Sequence, residues 1–493
     1  MSAADSTSGV KELIIVSSIV QSYHLIGIGG IGMSGLAELL VRQGHQVSGS
    51  DLAANAQTQR LEALGVKICL GHHPDHLPDT GIVVVSAAIK GDNPELQAAQ
   101  SQGRQVLSRA QLLARLMMGK FQIAVAGTHG KTTTTSMVAS ILRQAGLDPT
   151  VVVGAVVDSL GSNAVLGQGK YFVAEADESD GSFVALTPHL AVVTNIDRDH
   201  LDHYRDLSHI QEAFAAFLHR VQPGGLIVAC QDDPHLKPLL GRINRPILSY
   251  SLTPAADFWA ADLDLKGFTS HYCLMRGNQE LGRVCLPLAG QHYVSNSLAA
   301  AAATHALGVE FEAIQQGLAQ LGQVHRRFQI KGESQGITVV DDYGHHPTEI
   351  RVTLEAIAQS FHGRRLLVVF QPHRYSRTRA LLTDFFSAFP CADVLFLTEI
   401  YGAGEMVIPE VSGHCLFDGI KQNGHHQVYY VEDRAELIDR LWETLYPGDV
   451  VVTMGAGDIW KTGEELLKRL ESQPLRSPGQ NYRPPPPQVG KVN

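Results

Sequence analysis

The nine residues Gly127–Thr135, GTHGKTTTT, follow directly on the apolar run Ile123–Ala126. An apolar strand, a glycine turn and Lys-Thr at a helix start is the order that holds a nucleoside triphosphate. The glycines let backbone N–H groups close on phosphate oxygens, Lys131 reaches the terminal phosphates, and the Thr132 hydroxyl is a ligand for Mg²⁺. The usual pattern opens on a glycine where this chain has Val125, so the loop is the shorter G-x-x-G-K-T-T starting at Gly127.

A second glycine loop lies about a hundred residues upstream. Gly27-Ile28-Gly29-Gly30-Ile31-Gly32 follows the apolar run Tyr23–Ile26 and opens a helix-like stretch, Met33–Gln43. Asp51 closes the next apolar segment, nineteen residues after Gly32. This is the dinucleotide fingerprint with its acidic ribose partner. The loop recognises a phosphate pair beside a ribose, which UDP offers as well as NAD. Two phosphate-bearing molecules held by one chain is the implication.

Carboxylates and histidines stand where such molecules need them. The run Tyr171–Ala174 leads into Glu175, Asp177, Glu178 and Asp180, and a carboxylate at a strand end beside a phosphate loop is placed to hold Mg²⁺. The run Leu190–Val193 ends in TNIDRDHLDHY, which crowds Asp197, Asp199, His200, Asp202 and His203 at another strand end, the usual site position in open α/β sheets.

The elements that must carry these residues alternate between strand-like and helix-like. A chain of 493 residues is long enough for roughly three domains. The reading is α/β, with a Rossmann-like domain at 22–121, a P-loop ATPase-like central domain at 122–329 and a Rossmann-like C-terminal domain at 330–473. Residues 1–21 read as an extension and 474–493, with SPGQNYRPPPPQ, as a disordered Pro-rich tail. Strands are expected at Ile337–Val340, Leu366–Phe370, Val394–Leu397, Val428–Val431 and Val450–Met454, and an Ala-rich helix at Asn296–Leu307.

Composition sets limits. With 44% apolar and 18% charged residues the chain is an ordinary globular protein, and a net charge of −10 argues against a nucleic-acid binder. The six cysteines show no metal-ligand spacing, which suits a reducing cytoplasmic compartment. No segment reads as membrane-spanning.

These motifs together resemble the muramyl ligases, ATP-dependent amide-forming enzymes of bacterial cell-wall synthesis, and most nearly their alanine-adding branch. The resemblance covers about residues 22–472. It rests on GTHGKTT, the family's own short loop, on GIGGIGMSG, on EADESD and DRDH, and on Arg326-Arg327-Phe328, Asp341–Glu349 (DDYGHHPTE) and Gln371–Arg379 (QPHRYSRTR). It implies ATP held by Gly127, Thr128, His129, Gly130, Lys131, Thr132 and Thr133, with Asn296, Arg327 and Asp342. Mg²⁺ would be held by Thr132, Glu175 and His200. Lys131, Glu175, His200 and Arg327 would serve catalysis. UDP-N-acetylmuramate would meet Gly27, Gly29, Gly30, Gly32, Met33, Ser34, Asp51 and Ser86. Tyr343, His345, His346, His373, Arg374 and Arg377 would complete the substrate site, where L-alanine is joined through an acyl phosphate. The pair His345/His346 is a candidate base for the amine, the alternative being that alanine's ammonium loses its proton to water before attack.

Two departures stand out. The family's His-Asn is here His292-Tyr293, which touches one adenine contact. The lysine that sister ligases carry about fifteen residues past the metal histidine is Ala215, as the alanine-adding branch implies. The competing readings are a nicotinamide dehydrogenase, which leaves Lys131 unexplained, a P-loop motor, and a sister ligase. The oligomeric state stays open.

Overall fold

The computed structural model describes residues 20–157, 161–322 and 325–475. The expected N-terminal extension, apart from its last two residues, and nearly all of the Pro-rich tail lie outside the described residues. The chain divides into two compact units, one ending at Leu107 and one beginning at Ser108.

The first unit is a five-stranded sheet in the order Lys67–Leu70, Gln46–Asp51, Ser22–Ile26, Ile82–Val85, Val106–Ser108. Its first four strands are parallel. The glycine loop leaves the central strand Ser22–Ile26 and enters the helix Ile31–Arg42, whose inner face buries Met33, Leu36, Leu39 and Leu40.

The second unit carries two sheets. The larger has ten strands, and its middle is the strand Phe121–Ala126, paired in parallel with Leu190–Val193 on one side and Tyr171–Glu175 on the other. Residues Ile123–Ala126 are fully buried because helices and neighbouring strands cover them on every side, which is why the run reads as continuously apolar rather than alternating. The six-stranded sheet runs Gln329–Ser334, Ile337–Asp342, Val450–Met454, Leu366–Phe370, Val394–Leu397, Val428–Tyr430, all parallel except the first pair.

One part of the central sheet departs from expectation. Beyond the parallel strands Leu226–Cys230 and Ile247–Ser251, the strands Phe258–Lys266, Thr269–Arg276 and Gln279–Leu286 continue it as an antiparallel meander. Its turns are the two-residue loops Gly267-Phe268 and Gly277-Asn278, each with its glycine at positive φ, the sequence mark of a tight hairpin. The meander leans on the helix Phe311–Ala319.

The phosphate-loop helix Lys131–Gln144 is held by Gln291–Ala306 and Phe311–Ala319. Ala299–Ala303 are fully buried, and small side chains let the helix axes come close. The tightest point is Gly317, where a Cβ would stand 2.5 Å from Ile141 Cα, while Ser140 Oγ donates to the Gly317 carbonyl at 2.7 Å. Gly317→Ala is expected to cost about 1–3 kcal/mol by overpacking. Urea unfolding followed by circular dichroism measures this, and an unchanged midpoint would show that the two helices separate freely.

Candidate active site

The central loop is built by its own backbone and by the strand end beside it. Gly127 sits at φ +139°, and a Cβ there would fall on Thr194 Oγ1. Thr194 Oγ1 donates to the His129 carbonyl at 2.6 Å, His129 N–H donates to Asn195 Oδ1 at 2.8 Å, and Asp197 N–H donates to Thr128 Oγ1 at 2.9 Å. Gly130, at φ +81°, packs against the amide of Asn296. The segment Thr194–Asp197 is therefore a mould for the loop. The sequence reading marked Asp197 but passed over Thr194 and Asn195, whose signal was only their place at a strand end.

Lys131 and Thr132 open the helix and both meet carboxylates. Lys131 Nζ donates to the carbonyls of Gly127 at 2.7 Å and Thr128 at 3.1 Å, and pairs with both oxygens of Glu178 at 2.8 and 2.9 Å. Burial disfavours its charge, but Glu178, Asp177 and Glu175 raise its pKa and keep it an ammonium. Thr132 Oγ1 donates to Glu175 Oε2 at 2.8 Å, which also accepts Gly154 N–H. His200, at φ +53°, places Nε2 3.7 Å from both Glu178 and Asp199. Burial, with Lys131 and Arg377 nearby, lowers the pKa of its imidazole and leaves a nitrogen lone pair for a cation. The hard oxygens of Thr132 and Glu175 suit Mg²⁺.

A cavity of about 350 Å³ lies over this loop. Of the expected residues it is lined by His129, Gly130, Thr132, Thr133, Asn296, Arg327 and Asp342, together with Asp233, Pro234, His235, Tyr293 and Thr353. Asp233–His235 follow the buried strand Leu226–Cys230 and could have been found from that position alone. Tyr293, at the position of the departure, lies with its ring 4.0 Å from that of His292. The arginine pair divides its roles. Both lie over the Tyr343 ring, but Arg326 is locked onto Asp341 and the carbonyls of Gly455 and Gly457, while Arg327 reaches Glu349 at 3.6 Å along the cavity wall. Both Asp342 oxygens accept backbone N–H groups, from Phe328 and Gly344, and burial pushes its carboxyl up to about 6.

The histidines of the third sheet separate in the same way. His346 caps the helix Pro347–Ser360, accepting Thr348 N–H at Nδ1 and donating from Nε2 to the Arg198 carbonyl at 3.0 Å. With both nitrogens engaged it is a structural bridge and not a free base, which corrects half of the His345/His346 expectation. His345 is buried beside Arg377, which together hold its pKa at about 3. His373 stacks on Tyr401, and burial with Arg377 and Arg374 holds it at about 4. Arg377 grips Asp199 through Nε at 2.9 Å, and Arg374 meets Asp202 at 3.0 Å.

In the first unit the structure brings the glycine loop and Asp51 together: Gly29 N–H donates to Asp51 Oδ2 at 2.8 Å. Ser86 lies against Gly27, whose Cβ would come within 3.0 Å of Ser86 Cβ. Gly30 is the N-cap of the helix, with Gly32 in its first turn, and Ser34 Oγ donates to the Ile31 carbonyl. The Met33 side chain is 1% exposed and belongs to the core.

His129 joins the loop to the third sheet's helix, with Nε2 3.0 Å from Asp197 and Nδ1 3.4 Å from Glu349. Asp197 also accepts from Thr348 Oγ1 at 2.7 Å. Ligand atoms of His129, Asp197 and His346 lie within 4.8 Å of one another, but His346 Nδ1 already accepts Thr348 N–H. Burial disfavours the charged His129, yet the two carboxylates raise it from 6.5 to about 9. Its stabilising charge is therefore complete below about pH 6.5 and is lost as pH rises through 9. Thermal unfolding is expected to show that loss, on the order of 3 kcal/mol, between these limits. His129→Gln should flatten the profile there, and an unaltered profile would remove His129 from the joint.

Comparison with known proteins follows the same division of the chain. Residues 22–121 match the Mur ligase family catalytic domain, residues 125–304 the Mur ligase middle domain, and residues 326–457 the Mur ligase glutamate ligase domain. UDP-N-acetylmuramate–L-alanine ligase of Trichlorobacter lovleyi is 50% identical over 452 residues, covering 92% of this chain and 99% of that protein. The protein of the same name from Geobacter sp. (strain M21) is 49% identical, covering 92% and 98%. The crystal structure of the UDP-N-acetylmuramate–alanine ligase MurC of Thermotoga maritima matches with a TM-score of 0.76 at 29% identity, covering 92% and 99%. On these matches, the chain belongs to the Mur ligase family.

Proposed function

We propose that the chain is an ATP-dependent ligase that joins L-alanine to the lactyl carboxylate of UDP-N-acetylmuramate and releases ADP and phosphate. The observation that carries this reading is the identity of about half, over nearly their whole length, with relatives of that name. A phosphate loop walled by carboxylates and a cavity beside it supports the reading.

The lactyl carboxylate attacks the γ-phosphorus of ATP. A new P–O bond forms, the bond to the bridging oxygen breaks, and ADP leaves behind an acyl phosphate. The amine of alanine then attacks the acyl carbon, phosphate departs with the electron pair of the C–O bond, and the proton that the nitrogen sheds as the amide forms leaves with it as hydrogen phosphate. Lys131 and Arg327 set positive charge against the transferred phosphoryl group. Thr132, Glu175 and His200 would hold Mg²⁺, which when bound neutralises phosphate charge that repels the incoming carboxylate. Asn296, Tyr293 and Asp342 lie where a nucleoside would rest. His345 is too weak a base at neutral pH to take the amine's proton, so alanine reaches the site as the free amine after losing it to solvent.

In the same reading the Gly27–Gly32 loop, with Asp51 and Ser86, takes the UDP moiety, and His373, Arg374 and Arg377 take carboxylate charge of the substrates. The reaction belongs to the cytoplasm, where its nucleotides are found. Among the described residues no helix is long and apolar enough to cross a membrane.

Two outcomes test the proposal. Phosphate release measured with ATP, Mg²⁺ and UDP-N-acetylmuramate should depend on both substrates and be greatest with L-alanine among single amino acids. Equal release without the UDP-sugar, or with a tripeptide in place of alanine, would overturn it. Lys131→Ala is expected to lower turnover by roughly 10²-fold or more, the scale for losing one transition-state donor. Full turnover in that variant would exclude the loop from the chemistry.

A further inference from the structure

Lys131 has no unspent donor in this structure. An ammonium carries three protons, and four oxygens surround it: the carbonyls of Gly127 and Thr128 and both oxygens of Glu178, all within 3.1 Å. To reach a phosphate, the side chain must leave Glu178. The carboxylate cannot travel with it. The Glu178 side chain is 1% exposed, and its main chain is pinned because Tyr204 OH and Gly181 N–H both donate to its carbonyl.

We propose that Glu178 is a positioning residue that stands in for the nucleotide's phosphate, holding Lys131 when the site is empty and taking it back as ADP leaves. The inference rests on the nucleotide reading of the loop. A buried ammonium needs an anion at every stage, because an unpaired buried charge is costly. Glu178 is the carboxylate that Lys131 touches here, and a phosphate oxygen that takes the same N–H displaces it. Glu178 therefore opposes nucleotide binding by competing for Lys131, and that competition weakens when the carboxylate becomes an amide of the same shape.

The expected result is a gain in affinity, which loss of a merely structural residue would not produce. Calorimetric titration of the full chain with ADP in EDTA should show Glu178→Gln binding at least about tenfold more tightly than the parent. ADP should dissociate correspondingly more slowly, and KM for ATP and kcat should fall together. Glu178→Asp keeps the charge and should stay within about threefold of the parent. Where the Gln variant does not fold, Glu178→Met, of similar shape and uncharged, carries the same expectation. Equal or weaker ADP binding by the folded, uncharged variant overturns the inference alone. Absence of ADP and ATP binding by the parent overturns the ligase reading and this inference with it.

Discussion

The chain can lay a phosphate loop against the end of the strand Leu190–Val193 only because residue 127 has no side chain. Any Cβ there would occupy the space of Thr194 Oγ1, whose hydroxyl holds the loop's far side through the His129 carbonyl. That close approach sets the rest. It turns the His129 N–H to Asn195, starts the helix at Lys131, and brings Thr132 over the strand end that bears Glu175. The helix is fixed in turn by the small residues of Gln291–Ala306 and by Gly317 behind it.

Charge in this site is arranged by burial more than by number. Glu175, Asp177, Glu178, Asp197 and Asp199 all stand at the carboxyl ends of parallel strands, where helix N-termini and basic side chains can meet them. Each histidine near them titrates according to its own neighbours. His129, between two carboxylates, is held charged, while His345 and His373, beside arginines, are held neutral. Residues that look alike in sequence therefore do different work.

Much of this was legible beforehand because it is local. Strand, glycine turn and Lys-Thr are contiguous, and the buried parallel strands announce themselves as short apolar runs, so Leu190–Val193, Leu366–Phe370 and Val450–Met454 have the bounds expected of them. The antiparallel meander was missed because its strands, such as Thr269–Arg276 (TSHYCLMR), are neither continuously apolar nor cleanly alternating, and its strong marks are two Gly-X turns. The site escaped wherever it depends on contacts between distant segments. Nothing in the pair Arg326-Arg327 says which one is tied to Asp341, and nothing in His345-His346 says which one caps a helix. Glu178 stood in a named acidic run, but its hold on Lys131 is a contact across 47 residues.

Asp197 serves two masters. Its backbone N–H shapes the loop through Thr128, and its carboxylate receives Thr348 from the helix that begins the third sheet's first crossover. His129 closes the circuit by touching both Asp197 and Glu349. The two parts of the second unit thus share a joint at these residues, beside the pairs Arg377–Asp199 and Arg374–Asp202 and the bond from His346 to the Arg198 carbonyl. Moving the helix away would cost His129 and Asp197 their partners Glu349 and Thr348, while the contacts of Thr194 and Asn195 to the loop would stay in place.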